Sequence, residues 1–219
     1  MSKVKSKFIK TSKRRKHEEI VNSTSHGIGL LIAFACTSLL IIKAAYHGTA
    51  WHIVTFSIFG AGLINLYAAS TLFHSVTNIK TKFNLNRFDH SSIYVLIAAT
   101  YTPFALVGIK GAFGWVIFGL VWSMAIAGVI FKVWFYSPKY RSISAWLYVI
   151  MGWTGIIAIV PIVNHYPATS LWFLLAGCLS YMVGVIFYLV EKIPYGHGIF
   201  HLFIIGGSLC HFFSLLLMI

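Results

Sequence analysis

Ser70 and His74 stand four residues apart, as do His197 and His201, and Asp89 lies between the two pairs. All five fall inside or at the lip of apolar runs, where an ionisable group is costly and by default marks a function. Residues i and i+4 share one helix face, stacked about 6 Å apart along the axis. His197 and His201 can therefore bind one ion from one helix. His74, from a different helix, would complete the three protein ligands of an open zinc site, with water in the remaining position. Neutral imidazole suits zinc. Ser70, one turn from His74, could hydrogen-bond that water or a substrate oxygen. Asp89 could orient the water and take its proton, or fix a ligating histidine from behind. Asp is also a favoured helix N-cap, and the sequence leaves both roles open. H-x-x-x-H alone is a weak motif; its weight comes from the depth it shares with His74.

The elements that would carry these residues follow from composition. The chain has 219 residues, 58% hydrophobic and only 10% charged, with a mean hydropathy of +0.83. A soluble domain carries about 25% charged residues, so this is a membrane protein. Apolar windows near 25–45, 53–74, 89–108, 113–134, 143–163, 170–190 and 197–218 predict an all-α bundle of seven transmembrane helices. The runs are continuous, whereas a barrel would need alternating strands. Residues 1–24 form a basic tail and 25–219 the helical domain. No small-residue cleavage site follows the first apolar run, so it reads as an uncleaved helix.

The formal charge of +13 arises from 17 basic against 4 acidic residues. Lys3, Lys5, Lys7, Lys10, Lys13, Arg14, Arg15 and Lys16 crowd ahead of the first span, as a cytoplasmic anchor for anionic lipid headgroups would. No folded basic groove is indicated, so nucleic acid is not an expected partner; membrane lipids are. With the N-terminus inside, every basic residue except Lys43 and Lys110 falls on the cytoplasmic side, which fixes the expected orientation as N-terminus in and C-terminus out. That topology brings Ser70, His74, Asp89, His197 and His201 to the cytoplasmic face.

Other residues take plainer readings. Trp51, Trp115 and Trp172 mark outer helix ends, and Trp134 and Trp146 flank an inner loop, as interfacial rings do. Pro103 and Pro161 are expected to kink their helices, and Gly60, Gly62, Gly152, Gly155, Gly206 and Gly207 to let helices approach. Cys36, Cys178 and Cys210 form no C-x-x-C pair and read as reduced hydrophobes. Glu18, Glu19 and Glu191 are expected near the surface and His90 at the interface. His26 could join the surroundings of the site, whereas His211 lies too far outward to share it. His17, His47, His52 and His165 are expected to be solvated.

Five ordered segments resemble the bacterial haemolysin III proteins, within the progestin and adipoQ receptor family. They are Glu18-Glu19-Ile20-Val21-Asn22-Ser23-Thr24-Ser25-His26-Gly27-Ile28-Gly29, Ser70-Thr71-Leu72-Phe73-His74, Arg87-Phe88-Asp89-His90-Ser91-Ser92-Ile93-Tyr94, Ala99-Thr100-Tyr101-Thr102-Pro103 and His197-Gly198-Ile199-Phe200-His201. The resemblance implies a seven-helix bundle with a cytoplasmic N-terminus. It also implies zinc held by His74, His197 and His201, with Asp89 and Ser70 around the bound water. The resemblance further implies lipid-amide hydrolysis, as proposed for the wider group, and haemolysis or membrane-lipid homeostasis, as associated with its bacterial branch. The chain lacks the long N-terminal extension of adiponectin receptors, so hormone recognition does not carry over.

Several functions compete at this point. One is a zinc-dependent hydrolase of lipid amide or acyl bonds. A second is a membrane-perturbing, pore-forming haemolysin, although no helix carries a charged face suited to a channel. A third is a sensor or regulator of membrane lipid state. A proton or ion relay is disfavoured, because the polar groups gather at one face instead of crossing the bilayer.

Overall fold

A computed structural model of the chain describes residues 13–135, 137, 140–190 and 192–219. Lys3, Lys5, Lys7, Lys10, Lys139 and Glu191 lie outside the described residues, and with them half of the basic anchor. Among the described residues there is no strand, and the α-helices are α1 (Lys13–His47), α2 (Ala50–Ser75), α3 (Ile79–Pro103), α4 (Gly111–Trp134), α5 (Arg141–Trp153), α6 (Ile159–His165), α7 (Ala168–Leu189) and α8 (Gly196–Leu216). Among the described residues, six segments are long and apolar enough to cross a membrane: α1, α2, α3 with its continuation to Ile109, α4, α7 and α8. This is a multi-pass helical membrane protein.

The start of α3 departs from expectation. Its N-cap is Asn78, whose side-chain oxygen accepts from the Lys80 and Thr81 N–H groups at 3.1 Å each. The polar stretch 79–88 is therefore helix, capped in the usual way. Asp89 sits well inside α3 and is buried, which excludes the N-cap role for it. Beyond Pro103 the helix widens into a π-helical segment, Phe104–Ile109, that ends where the Lys110 N–H bonds the Ala105 carbonyl at 3.1 Å.

The window 143–163 is not one helix. α5 ends at Trp153, a 3₁₀ segment runs over Thr154–Ala158, and α6 resumes around Pro161. Proline supplies no N–H and disfavours the regular ladder before it. Tyr101 of α3 reaches into the break. Its hydroxyl donates to the Gly152 carbonyl at 2.5 Å and accepts from the Gly155 N–H at 2.7 Å.

Contacts at the helix ends establish an up-and-down bundle. At one end, Trp51 meets Trp115 edge to face at 5.9 Å, Lys43 Nζ donates to the Leu216 carbonyl at 2.6 Å, and Ser170 bonds Ser214. At the other, Ser23 bonds Ser75 at 2.7 Å and the Tyr148 hydroxyl donates to the His90 carbonyl at 2.8 Å. The five tryptophans assigned to helix ends are all exposed. α1 packs on α2 and α8, α2 on α3, α3 on α4, and α7 on α8, while α5 and α6 lean more lightly on the rest. Leu40, Phe56, Phe59, Leu63, Val121 and Leu215 fill the centre.

Two glycines let α7 and α8 approach closely. A Cβ on Gly177 of α7 would fall 2.3 Å from Cδ2 of His211 on α8, and one on Gly207 of α8 would fall 2.4 Å from Cε1 of Tyr181 on α7. Each helix thus offers a socket for the other's ring. Gly60 likewise receives Thr37, but Gly152 has no neighbour within 4 Å of an added Cβ, so close packing is not its role. The three cysteines are free, Cys36 buried and the other two half-buried.

Candidate metal centre

α2 ends on the site, and α8 begins there. His74 lies in the last turn of α2 and His197 in the first turn of α8, with His201 one turn on. The chain enters α8 through Tyr195, whose left-handed φ of 55° makes the sharp turn that puts His197 against α2. The candidate ligand atoms of His74, His197 and His201 all lie within 4.8 Å of one another. His74 Nε2 and His197 Nε2 are 3.2 Å apart. Two nitrogens bound at about 2.05 Å to one tetrahedral ion stand roughly 3.3 Å apart, so this pair already has the spacing of shared ligands. His74 and His201 are buried and His197 is half-buried.

The far side of two rings is held. His74 Nδ1 lies 2.9 Å from Glu19 Oε2, an oxygen that also accepts from Lys82 Nζ at 2.8 Å. His201 Nδ1 lies 3.2 Å from the Asn22 carbonyl and 3.1 Å from Ser25 Oγ. A carbonyl or carboxylate facing Nδ1 places the proton there and leaves the Nε2 lone pair for an ion. The donor set is thus three imidazoles, two with their tautomer fixed, and it suits a transition metal.

Ser70, one turn before His74, is buried and within hydrogen-bonding reach of the Asp89 carboxylate. Both line a cavity of about 510 Å³ together with His197 and His201, and the cavity continues between apolar walls to Ile162 and Trp172 at the far end of the bundle. Lys132, also buried, brings a cation near Asp89 and places Nζ 3.4 Å from His90 Nδ1. The arrangement is a polar, metal-competent end on an otherwise apolar chamber.

Two placements differ from expectation, those of Glu19 and His90, while His26 and His211 fall where they were expected. Glu19 is partly exposed, as an acid near the surface would be, but it is not merely solvated: it braces His74. Its signal was present in the spacing of Glu19, Asn22 and His26, three and four residues apart on one face of α1. That face meets the site because helix runs on through the polar segment to Lys13. His90 lines the cavity and does not sit at the interface. His26 stacks on His201, with ring centroids 3.4 Å apart and planes 12° from parallel. His211 is at the far end of the same cavity, away from the three histidines.

A family model described as haemolysin-III related matches residues 14–212. The Hemolysin-3 homolog of Bacillus subtilis (strain 168) is 46% identical over 199 residues, covering 91% of this chain and 93% of its own length. Hemolysin-3 of Bacillus cereus is 43% identical, covering 91% and 90%. The human Monocyte to macrophage differentiation factor is 28% identical over 205 residues, covering 91% and 83%.

Proposed function

The chain belongs to the haemolysin-III related family, and on that premise we propose that it is a zinc-dependent hydrolase of lipid amide or acyl bonds. The observation that carries the reading is the union of the three-histidine cluster with an apolar cavity that ends on it. Zinc, when bound, acts as a Lewis acid towards a carbonyl oxygen and lowers the pKa of water. His74, His197 and His201 would hold it. Asp89 accepts the proton of the attacking water and returns it to the leaving group. Ser70 holds the Asp89 carboxylate in place, and the apolar walls align the acyl chain so that its carbonyl stops at the histidines. The residues from 141 to 165 serve as the seventh span. Lys82, Arg87, Lys132, Arg141 and Lys192 share the site's end of the bundle, whereas Lys43 and Lys110 occupy the other. By the positive-inside bias the site then faces the cytoplasm, and the basic tail rests on anionic headgroups.

Elemental analysis of the purified protein should find about one zinc per chain, and His197→Ala should remove both metal and turnover of an N-acyl lipid. Full activity in metal-free protein would rule the reading out.

The names of the Bacillus relatives favour a second reading, lysis by membrane perturbation. Dye release from liposomes separates the two. Leakage that is unchanged after replacement of His74, His197 and His201 would make the metal irrelevant to lysis.

A further inference from the structure

His26 is 3% exposed, and neither of its ring nitrogens has a hydrogen-bond partner among the described residues. It lines the cavity beside His201. A phenylalanine would fill the same place between His201 and Tyr67, whose ring it meets edge-on at 5.1 Å, without burying two polar atoms. Buried imidazole nitrogens left without partners are destabilising, so packing alone is a poor account of a histidine here.

Its geometry also excludes a ligand role. An ion held by His201 lies in the plane of that imidazole. The His26 ring runs nearly parallel, 3.4 Å to one side, so its in-plane nitrogens miss the about 2.0–2.1 Å of a zinc–nitrogen bond. They remain within reach of an oxygen or nitrogen on a molecule seated at the histidine cluster. A neutral imidazole offers one donor and one acceptor, which matches a carbonyl or carboxylate oxygen with an N–H or hydroxyl beside it.

We propose that His26 is a ligand-positioning residue that hydrogen-bonds the carbonyl or carboxylate head of a lipid in the cavity. The inference rests on the reading of the chamber as a lipid site, and adds to it the residue that selects a polar head over a plain hydrocarbon. Ser25 and Asn22 hold the His201 ring from behind, while His26, next in sequence to Ser25, covers its face. One turn and a half of α1 therefore supports both the ligand and the lipid.

The test compares wild type, His26→Phe and His26→Gln, each loaded with zinc in detergent. Three quantities are read: zinc per chain, the Kd for radiolabelled oleate, and the Kd for an unbranched alkene of equal length. His26→Phe should keep its zinc, lose oleate affinity by about tenfold or more, as for a hydrogen bond to a charged group, and bind the alkene as wild type does. His26→Gln, which retains a donor and an acceptor, should stay near wild type. Unchanged oleate affinity in His26→Phe overturns the proposal, and so does loss of zinc, which would make His26 a support for His201. Should His26→Phe aggregate, the His26 ring-nitrogen resonances of ¹⁵N-histidine-labelled wild type decide: they should move with oleate and not with the alkene, and no movement overturns it. Wild type that binds oleate without zinc, and loses it in His26→Phe, refutes the metal reading while upholding this one.

Discussion

The brace on His74 can be weighed directly. Glu19 Oε2 sits 2.9 Å from His74 Nδ1 and 2.8 Å from Lys82 Nζ, so one oxygen serves two partners. A group that orients a ligating histidine in this way is worth about 10–100-fold in metal affinity. The Glu19 side chain is 39% exposed and part of its charge is answered by Lys82. Both facts place the effect at the lower limit. Glu19→Ala should therefore raise the zinc Kd about tenfold, equivalent to about 1.4 kcal/mol. Glu19→Gln keeps an acceptor oxygen and loses the charge, and should fall near threefold, because a charge-assisted bond is roughly twice as strong as a neutral one. Lys82→Ala leaves the carboxylate to His74 alone and should cost no affinity. Competition with a chromophoric zinc chelator, in detergent at fixed pH, reads all three. A wild-type Kd in Glu19→Ala, or a loss in Lys82→Ala equal to that in Glu19→Ala, would show that the contact does not support the metal.

Two further predictions concern the bundle. Gly177→Ala drives a Cβ to 2.3 Å from the His211 ring and 3.0 Å from the Gly207 carbonyl and should destabilise by about 1–3 kcal/mol, whereas Gly119→Ala meets nothing within 4 Å and should stabilise by about 1 kcal/mol; thermal melts with shifts of the same sign would contradict this. Tyr101→Phe removes both bonds in the break between α5 and α6 and should cost about 1–3 kcal/mol, with faster amide exchange over 152–158; exchange at the wild-type rate would count against it.

Hydropathy located six of the seven expected spans because it reports depth, and depth was enough to bring Ser70, His74, Asp89, His197 and His201 to one end. It reports nothing about the hydrogen-bond ladder. The stretch 143–163 stays apolar across its break, so the interruption at Thr154–Ala158 left no trace in hydropathy, and Gly152, Gly155 and Pro161 were the local signals. The early start of α3 escaped for the opposite reason: residues 79–88 are polar and look like loop, although Asn78 caps them as helix. That error carried over to Asp89, which resembles an N-cap only if the helix begins at 89. Glu19 was missed because an acid next to a basic tail looks solvated. Only the continuation of α1 into that segment turns it towards α2.

His74 and His197 belong to helices whose facing residues are 123 positions apart in sequence. An ion shared between them would be a clasp as well as a reagent, since it would close a long loop of the chain and bind only the folded state. Chelation should therefore lower the melting temperature even in a variant that never turns over. In this bundle the tie that holds α2 to α8 and the chemistry between them would be lost together.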